Sequence, residues 1–167
     1  MRKTLPRLFR HLFTTVAAGR RAFPNDALDA IQKAIAIGEK RHHAEMRLIV
    51  EPSMPFYDVL YGMSPRERAR QLFSLYRIWD TETNAGILVY INLADRKVEI
   101  IADRAANRVV GREEWQAVCR TMTQGFSRNL FRDSTLAGLS QLNDILAQRL
   151  PSQGGNHNEL SNRPAII

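Results

Sequence analysis

The chain is 167 residues long, with 24 Lys+Arg against 17 Asp+Glu, a formal net charge of +7 and a hydrophobic fraction of 44%. That is one domain's worth of sequence with apolar material for a single core, which excludes wholesale disorder. A lone cysteine, Cys119, excludes an intramolecular disulfide framework and a cysteine-rich zinc site.

The charge is unevenly placed. Residues 1–25 carry Arg2, Lys3, Arg7, Arg10, Arg20 and Arg21 and no acid, which is +6, while the other 142 residues hold 18 basic and 17 acidic side chains, which is +1. The organisation expected is a basic arm over residues 1–22, a nearly neutral α/β domain over 23–150 and a tail over 151–167. Nucleic acid is not the expected partner, because tracking a phosphate backbone needs basic residues spread over the folded domain.

Within the arm, Leu5, Leu8, Phe9, Leu12, Phe13 and Val16 recur at helical spacing and form one apolar face, with Thr4 placed to cap and Pro6 tolerated in the first turn. Arg7, Arg10 and His11 lie largely off that stripe. Such a helix suits the interface of an anionic membrane or a protein partner; alternatively the stripe packs on the chain's own domain. No run of about 18 uncharged apolar residues occurs. The uncharged stretch Leu12–Gly19 is followed at once by Arg20 and Arg21, so the N-terminus is expected to be retained. The expected location is cytoplasmic, peripheral at the inner membrane where the arm docks.

The first domain helix is predicted from about Asp26 to His43, with Asp26 capping and Leu28, Ile31, Ala34 and Ile35 buried. A strand follows at Glu45–Glu51, ended by Pro52 and Pro55. Residues 54–63 read as an irregular apolar connection. Ser64-Pro65-Arg66-Glu67 is a capping box with proline at the first helical position, opening a helix to about Trp79 that buries Ala69, Leu72, Leu75, Tyr76 and Trp79.

After the polar loop Asp80–Ala85, the continuous apolar run Gly86–Asn92 is a central strand, and a short turn at Leu93–Arg96 leads into a second strand at Lys97–Asp103. The first strand, the capped helix and the central strand make a parallel β-α-β unit, so the sheet is mixed. Helices at about Arg112–Arg128 and Ser134–Leu150 complete a three-layer α/β/α sandwich. Cys119 lies on an apolar stripe and reads as a small core residue. The polar tail after Pro151 is expected to be disordered.

If Asn92 faces Lys97 across the turn, Gly86 faces Asp103, and the loop bearing Asp80, Glu82 and Asn84 empties onto the same end of the sheet. Three carboxylates and an amide oxygen suit a hard cation such as calcium or magnesium, which could position a phosphoryl group or activate water. The alternative is that Asp80 caps a turn, Glu82 is solvated and Asp103 pairs with Arg104 or Arg108. His42, His43 and Glu45 lie together in sequence but at a junction where neighbours point apart. No Walker A loop, dinucleotide fingerprint, nucleophile elbow or His-Glu-x-x-His occurs, and no catalytic residue is assigned.

The block Trp79–Tyr90 followed by Leu93–Arg104 resembles the TPM-domain family, which includes a thylakoid-lumen acid phosphatase and photosystem II repair factors. Small bacterial members are most similar, with an arm like Arg7–Phe13 and an entry like Arg20–Pro24. The resemblance implies an α/β/α sandwich with an acidic strand-end cleft, weak phosphatase activity in some members and calcium binding in others. Asp80, Glu82, Asn84 and Asp103 match its acidic and amide positions. Two positions differ: the family's Asn-Gly before the central strand is Ala85-Gly86 here, and its glycine after Asp-Arg is Ala105. The function expected is a binding or regulatory domain that docks through its arm and takes a divalent cation at the cleft. The alternative is a metal-assisted phosphomonoesterase.

Overall fold

The computed structural model describes residues 4–152, 154 and 157–167. The side chain of Thr4, expected as a cap, lies outside the described set. In chain order the elements are α1 (Thr4–Phe13), α2 (Val16–Ala22), α3 (Asn25–Gly38), β1 (Glu45–Glu51), α4 (Phe56–Leu60), α5 (Pro65–Leu75), β2 (Gly86–Asn92), β3 (Lys97–Ala102), α6 (Arg104–Val109), α7 (Arg112–Phe126), α8 (Phe131–Arg149) and β4 (Ala165–Ile166). Among the described residues no helix is long and apolar enough to cross a membrane.

The sheet order is β3-β2-β1-β4, with β1 parallel to both β2 and β4 and β2 antiparallel to β3. The hairpin register is as expected, with Asn92 opposite Lys97 and Ile87 opposite Ala102. β2 is buried along its whole length, as an apolar run covered on both faces must be. On one face α3, α7 and α8 close the main core around Ile31, Ile35, Met46, Ile87, Val89, Met122 and Leu142. On the other, α5 packs Ala69 and Leu72 against Ile49, Leu88 and Tyr90. The result is the α/β/α sandwich.

Local chemistry explains the ends of the elements. The predicted capping box holds: Glu67 N–H donates to Ser64 Oγ at 3.2 Å and Ser64 N–H to Glu67 Oε2 at 2.7 Å. The helix stops at Leu75, because Arg77 takes a left-handed φ of 51°. Beyond that turn Ile78 is buried and Trp79 is exposed, and Leu75 and Tyr76, at the end of the helix, are exposed as well, against the expectation that all three of Leu75, Tyr76 and Trp79 are core. Ile78's carbonyl then crosses so close to Gly86 that a Cβ there would collide with it, so the central strand must begin on glycine. α3 is capped by no side chain and begins after Pro24 rather than at Asp26. It ends at Gly38, where Asn143 of α8 fills the space that a Cβ would need. The arm is two helices, with Thr15 capping the second by accepting from Ala18 N–H at 3.3 Å.

The tail corrects the expectation of disorder over its described residues. β4 extends the sheet beside β1, and Leu160, Ala165 and Ile167 pack on the α5 side of the core. Buried carboxylates hold it. Asn162 Nδ2 donates to Glu39 Oε2 at 2.7 Å, Met46 N–H donates to Glu39 Oε1 at 2.8 Å, and the N–H groups of Glu159 and Leu160 both donate to Glu45 Oε2 at 3.1 Å. Arg47 donates to the carbonyls of Ser161 and Arg163. The polar composition that reads as disordered supplies the backbone donors and the amide that these groups require.

Burial pushes the Glu39 carboxyl up to about 7 against the Met46 hydrogen bond, and neighbouring Glu45 adds to the rise. A carboxyl raised in the fold binds its proton more tightly folded than unfolded, so its contribution is complete below pH ~4.5 and is lost as pH rises through about 7. Comparing urea stability at several pH values, Glu39→Gln should remove a decline of roughly 2–3 kcal/mol between about pH 4.5 and pH 7 that the parent chain carries.

Candidate functional site

The loop after α5 and the start of α6 meet at one end of the sheet, as the hairpin requires. Thr81 Oγ1 accepts from Ala85 N–H at 3.2 Å, and Asn84, at φ 53°, turns the chain into β2. Asp103 N–H donates to Gly86 O at 2.9 Å and Ala105 N–H to Asn84 O at 3.0 Å, so Asn84 and Asp103 are brought together. Asp103 caps α6, a helix the sequence reading did not foresee, by accepting from Arg104 N–H at 2.7 Å.

The Arg104 guanidinium donates to Asn84 Oδ1, and its Nε lies 3.6 Å from Asp103 Oδ1. Asp103 Oδ2 is buried and makes no hydrogen bond among the described residues. Asp80 instead lies 3.8 Å from Arg77 on the exterior, and Glu82 is exposed with its backbone N–H donating to the Glu159 carboxylate. Among the described residues no three His, Cys, Asp or Glu side chains converge as metal ligands. At this end of the sheet the Arg104 guanidinium lies against Asn84 and Asp103, while Asp80 and Glu82 are turned outward.

His42 and His43 point apart. His42 is buried, with Nδ1 3.2 Å from Ala44 O and Nε2 3.2 Å from Asn143 Oδ1, and His43 faces Pro151. Burial and the nearby Glu99 push the Cys119 thiol up to about 11, which leaves it protonated and unreactive at neutral pH.

The opposite end of the sheet carries chemistry that the sequence reading missed. The C-terminal ends of parallel strands are where open α/β sheets place ligands, and here that end is filled by a chain of side chains. Arg68 forks onto Glu51 with contacts of 2.7–3.2 Å, Tyr90 OH donates to Glu51 Oε2 at 2.6 Å, and Asn92 Nδ2 donates to Tyr90 OH at 3.0 Å. Burial and the Glu51 carboxylate push the Tyr90 phenol up. Asp95 N–H donates to Asn92 Oδ1 at 2.8 Å. The chain continues into the arm, where Arg7 donates to both Asp95 oxygens at 2.8–3.1 Å and His11 Nε2 lies 3.3 Å away. Met54 N–H donates to His11 Nδ1 at 3.0 Å, which assigns the ring proton to Nε2, facing Asp95.

α1 is therefore held by its polar edge. His11 is buried and Leu8 half-buried, whereas the rest of the stripe, Leu5, Phe9, Leu12, Phe13 and Val16, is 50–78% exposed, and the Phe9 and Phe13 rings stack 6.4 Å apart. The helix lies against α4, whose Phe56, Tyr57 and Leu60 are also exposed, as is Tyr61 just beyond it. The signal that could have marked the docking edge is the spacing of Arg7 and His11, one turn apart.

A TPM-domain family model matches residues 19–145, and the chain belongs to that family. Among solved structures it is similar to the BA42 protein of the psychrophilic bacterium Bizionia argentinensis, determined by NMR, at 22% identity and a TM-score of 0.75 over 85% of this chain and 93% of that one. That likeness shows the fold. No curated protein matches the sequence. All of α1 and the β4 tail lie outside the matched range.

Burial works against the charge on Asp95, but the contacts of His11 and Arg7 and the charge of Arg7 outweigh it and hold the carboxyl well below the usual range. Its contribution is present above the unfolded carboxyl value near 4 and is lost as pH falls below it, so α1 stays latched at neutral pH. Asp95→Ala should lower urea stability by about 3 kcal/mol, the cost of leaving Arg7 unpaired, and should open the arm to trypsin at Arg7 and Arg10; an unchanged digestion pattern would show the arm held by something else.

Proposed function

We propose that this TPM-domain protein is a binding domain without catalytic chemistry of its own, docked to an anionic membrane surface through α1. The observation that supports it is the orientation of that helix. Amphipathic helices of soluble domains turn their apolar stripe inward, and here the stripe faces outward while Arg7 and His11 face the domain. Arg10, Arg20 and Arg21 are exposed beside it, and no acid occurs before Asp26. An apolar face flanked by cations is complementary to a bilayer of anionic lipid. Replacing Phe9 and Phe13 together by serine should weaken sedimentation with anionic vesicles at least about tenfold, with no change in thermal midpoint because both rings are exposed. Binding equal to the parent chain would defeat the reading.

At the other end of the sheet we propose that calcium or magnesium reaches Asp80, Glu82, Asn84 and Asp103 only in competition with Arg104, and the phosphomonoesterase alternative carries the same requirement. The buried Asp103 Oδ2 is the donor left over for it. In a calcium titration followed by backbone NMR, amides of residues 80–86 and 103–108 should move at lower calcium in Arg104→Gln than in the parent chain. No movement in either at millimolar calcium, together with phosphomonoester turnover indifferent to Asp103→Asn, would remove both readings.

A further inference from the structure

A cleft of about 780 Å³ opens between the arm, the β2–β3 turn and the start of α8. Its rim carries an arginine from each of four elements: Arg10 of α1, Arg21 of α2, Arg96 of the turn and Arg132 in the first turn of α8. One acid, Asp133, lines it as well. Arg10 lies 3.8 Å from Asp95 and Arg96 donates to Ser127 O at 3.4 Å. Arg21 and Arg132 make no ion pair or side-chain hydrogen bond among the described residues.

Four guanidinium groups around one concavity repel each other, and a single acid does not balance them; an anion seated among them removes that cost. The positive end of the α8 dipole adds to the same field. Arginine suits phosphate in particular, since its planar fork meets two phosphate oxygens at once. Apolar side chains line the cleft as well, among them Leu93, Leu130 and Phe13, the most exposed residue of the α1 stripe. A ligand that fills both parts has a phosphate at one end and hydrocarbon at the other, with the hydrocarbon leaving along the outward face of α1.

We infer that this cleft is a headgroup site for an anionic phospholipid, its phosphate held by Arg21, Arg96 and Arg132 and its glycerol and acyl portion lying over Phe13. The inference rests on the membrane-docking reading and adds that contacts outside the arm select the lipid. Arg96 and Arg132 belong to the folded domain, so the protein meets the membrane with a defined tilt, the β2–β3 turn and the start of α8 facing it together with α1. This surface is distinct from the strand-end acidic loop, where Asp80, Glu82 and Asp103 would repel phosphate.

The test is sedimentation of the full chain with vesicles of phosphatidylcholine alone and with about 30 mol% phosphatidylglycerol, at several salt concentrations. Three proteins are compared: the parent chain, Arg96→Gln/Arg132→Gln, and Arg112→Gln/Arg120→Gln, which removes the same charge from exposed positions on α7. The Arg96/Arg132 pair should lose about tenfold of the gain that phosphatidylglycerol brings, with a flatter salt dependence, while the α7 pair stays within about twofold of the parent. Equal losses in the two double variants would mean that net charge alone is sensed, and would overturn the headgroup site. An undiminished gain in the Arg96/Arg132 variant would overturn it too, leaving docking by the arm intact. A parent chain that sediments with neither vesicle would overturn both.

Discussion

Asp95 fixes how the arm meets the domain. It sits in the turn between β2 and β3, where Asn92 anchors its backbone, and its buried carboxylate gathers Arg7, His11 and, more loosely, Arg10. A buried carboxylate without partners would cost several kcal/mol, so the turn requires a cation and N–H donors beside it. Both come from one edge of α1. Because helix positions are rigidly related, binding that edge forces the apolar stripe, roughly opposite, into solvent. The orientation of the arm therefore follows from the charge of one turn residue.

The same carboxylate ends a relay that crosses the sheet. Arg68 on α5, Glu51 on β1, Tyr90 and Asn92 on β2 and Asp95 in the turn are joined by consecutive hydrogen bonds to α1. Buried hydrogen-bond networks specify geometry more than they add stability. This one ties α5 and α1 to the C-terminal ends of the two parallel strands. At the opposite end Arg104 lies against Asn84 and Asp103. A cleft stays open on the flank, where the arm and the domain meet.

Much of the fold was legible in the sequence because it rests on periodicity and local chemistry. The apolar run Gly86–Asn92, the hairpin register and the Ser64–Glu67 box are properties of neighbouring residues, and the structure carries each of them. What was not legible depends on partners far along the chain. The tail looked unable to fold because its own residues bury little, and its anchors, Glu39, Glu45 and Arg47, lie more than a hundred residues away. Helical spacing from α5 places Trp79 in the core, but that spacing ends where Arg77 turns left-handed, and Ile78 is buried in its stead. At the strand end, pairing arithmetic brought Asn84 and Asp103 together correctly, but spacing carries no information on whether a metal or the next side chain, Arg104, fills the gap. Periodicity likewise identified the α1 stripe without saying which face of the helix docks.

A ten-residue helix does not persist alone in water, since too few hydrogen bonds form to offset the ordering of its backbone. A free amphipathic arm would thus fold only on meeting a surface, and that ordering would subtract from its affinity. Here Arg7 and His11 hold α1 helical beforehand, with Phe9 and Phe13 already stacked on the outer side. Preorganisation of this kind raises affinity without adding apolar area, and it also fixes direction, because a helix pinned to Asp95 cannot rotate to hide its stripe. The exposed face is thus a stable state of the folded chain, and the latch that maintains it is made of polar groups, which leaves the apolar residues uncovered.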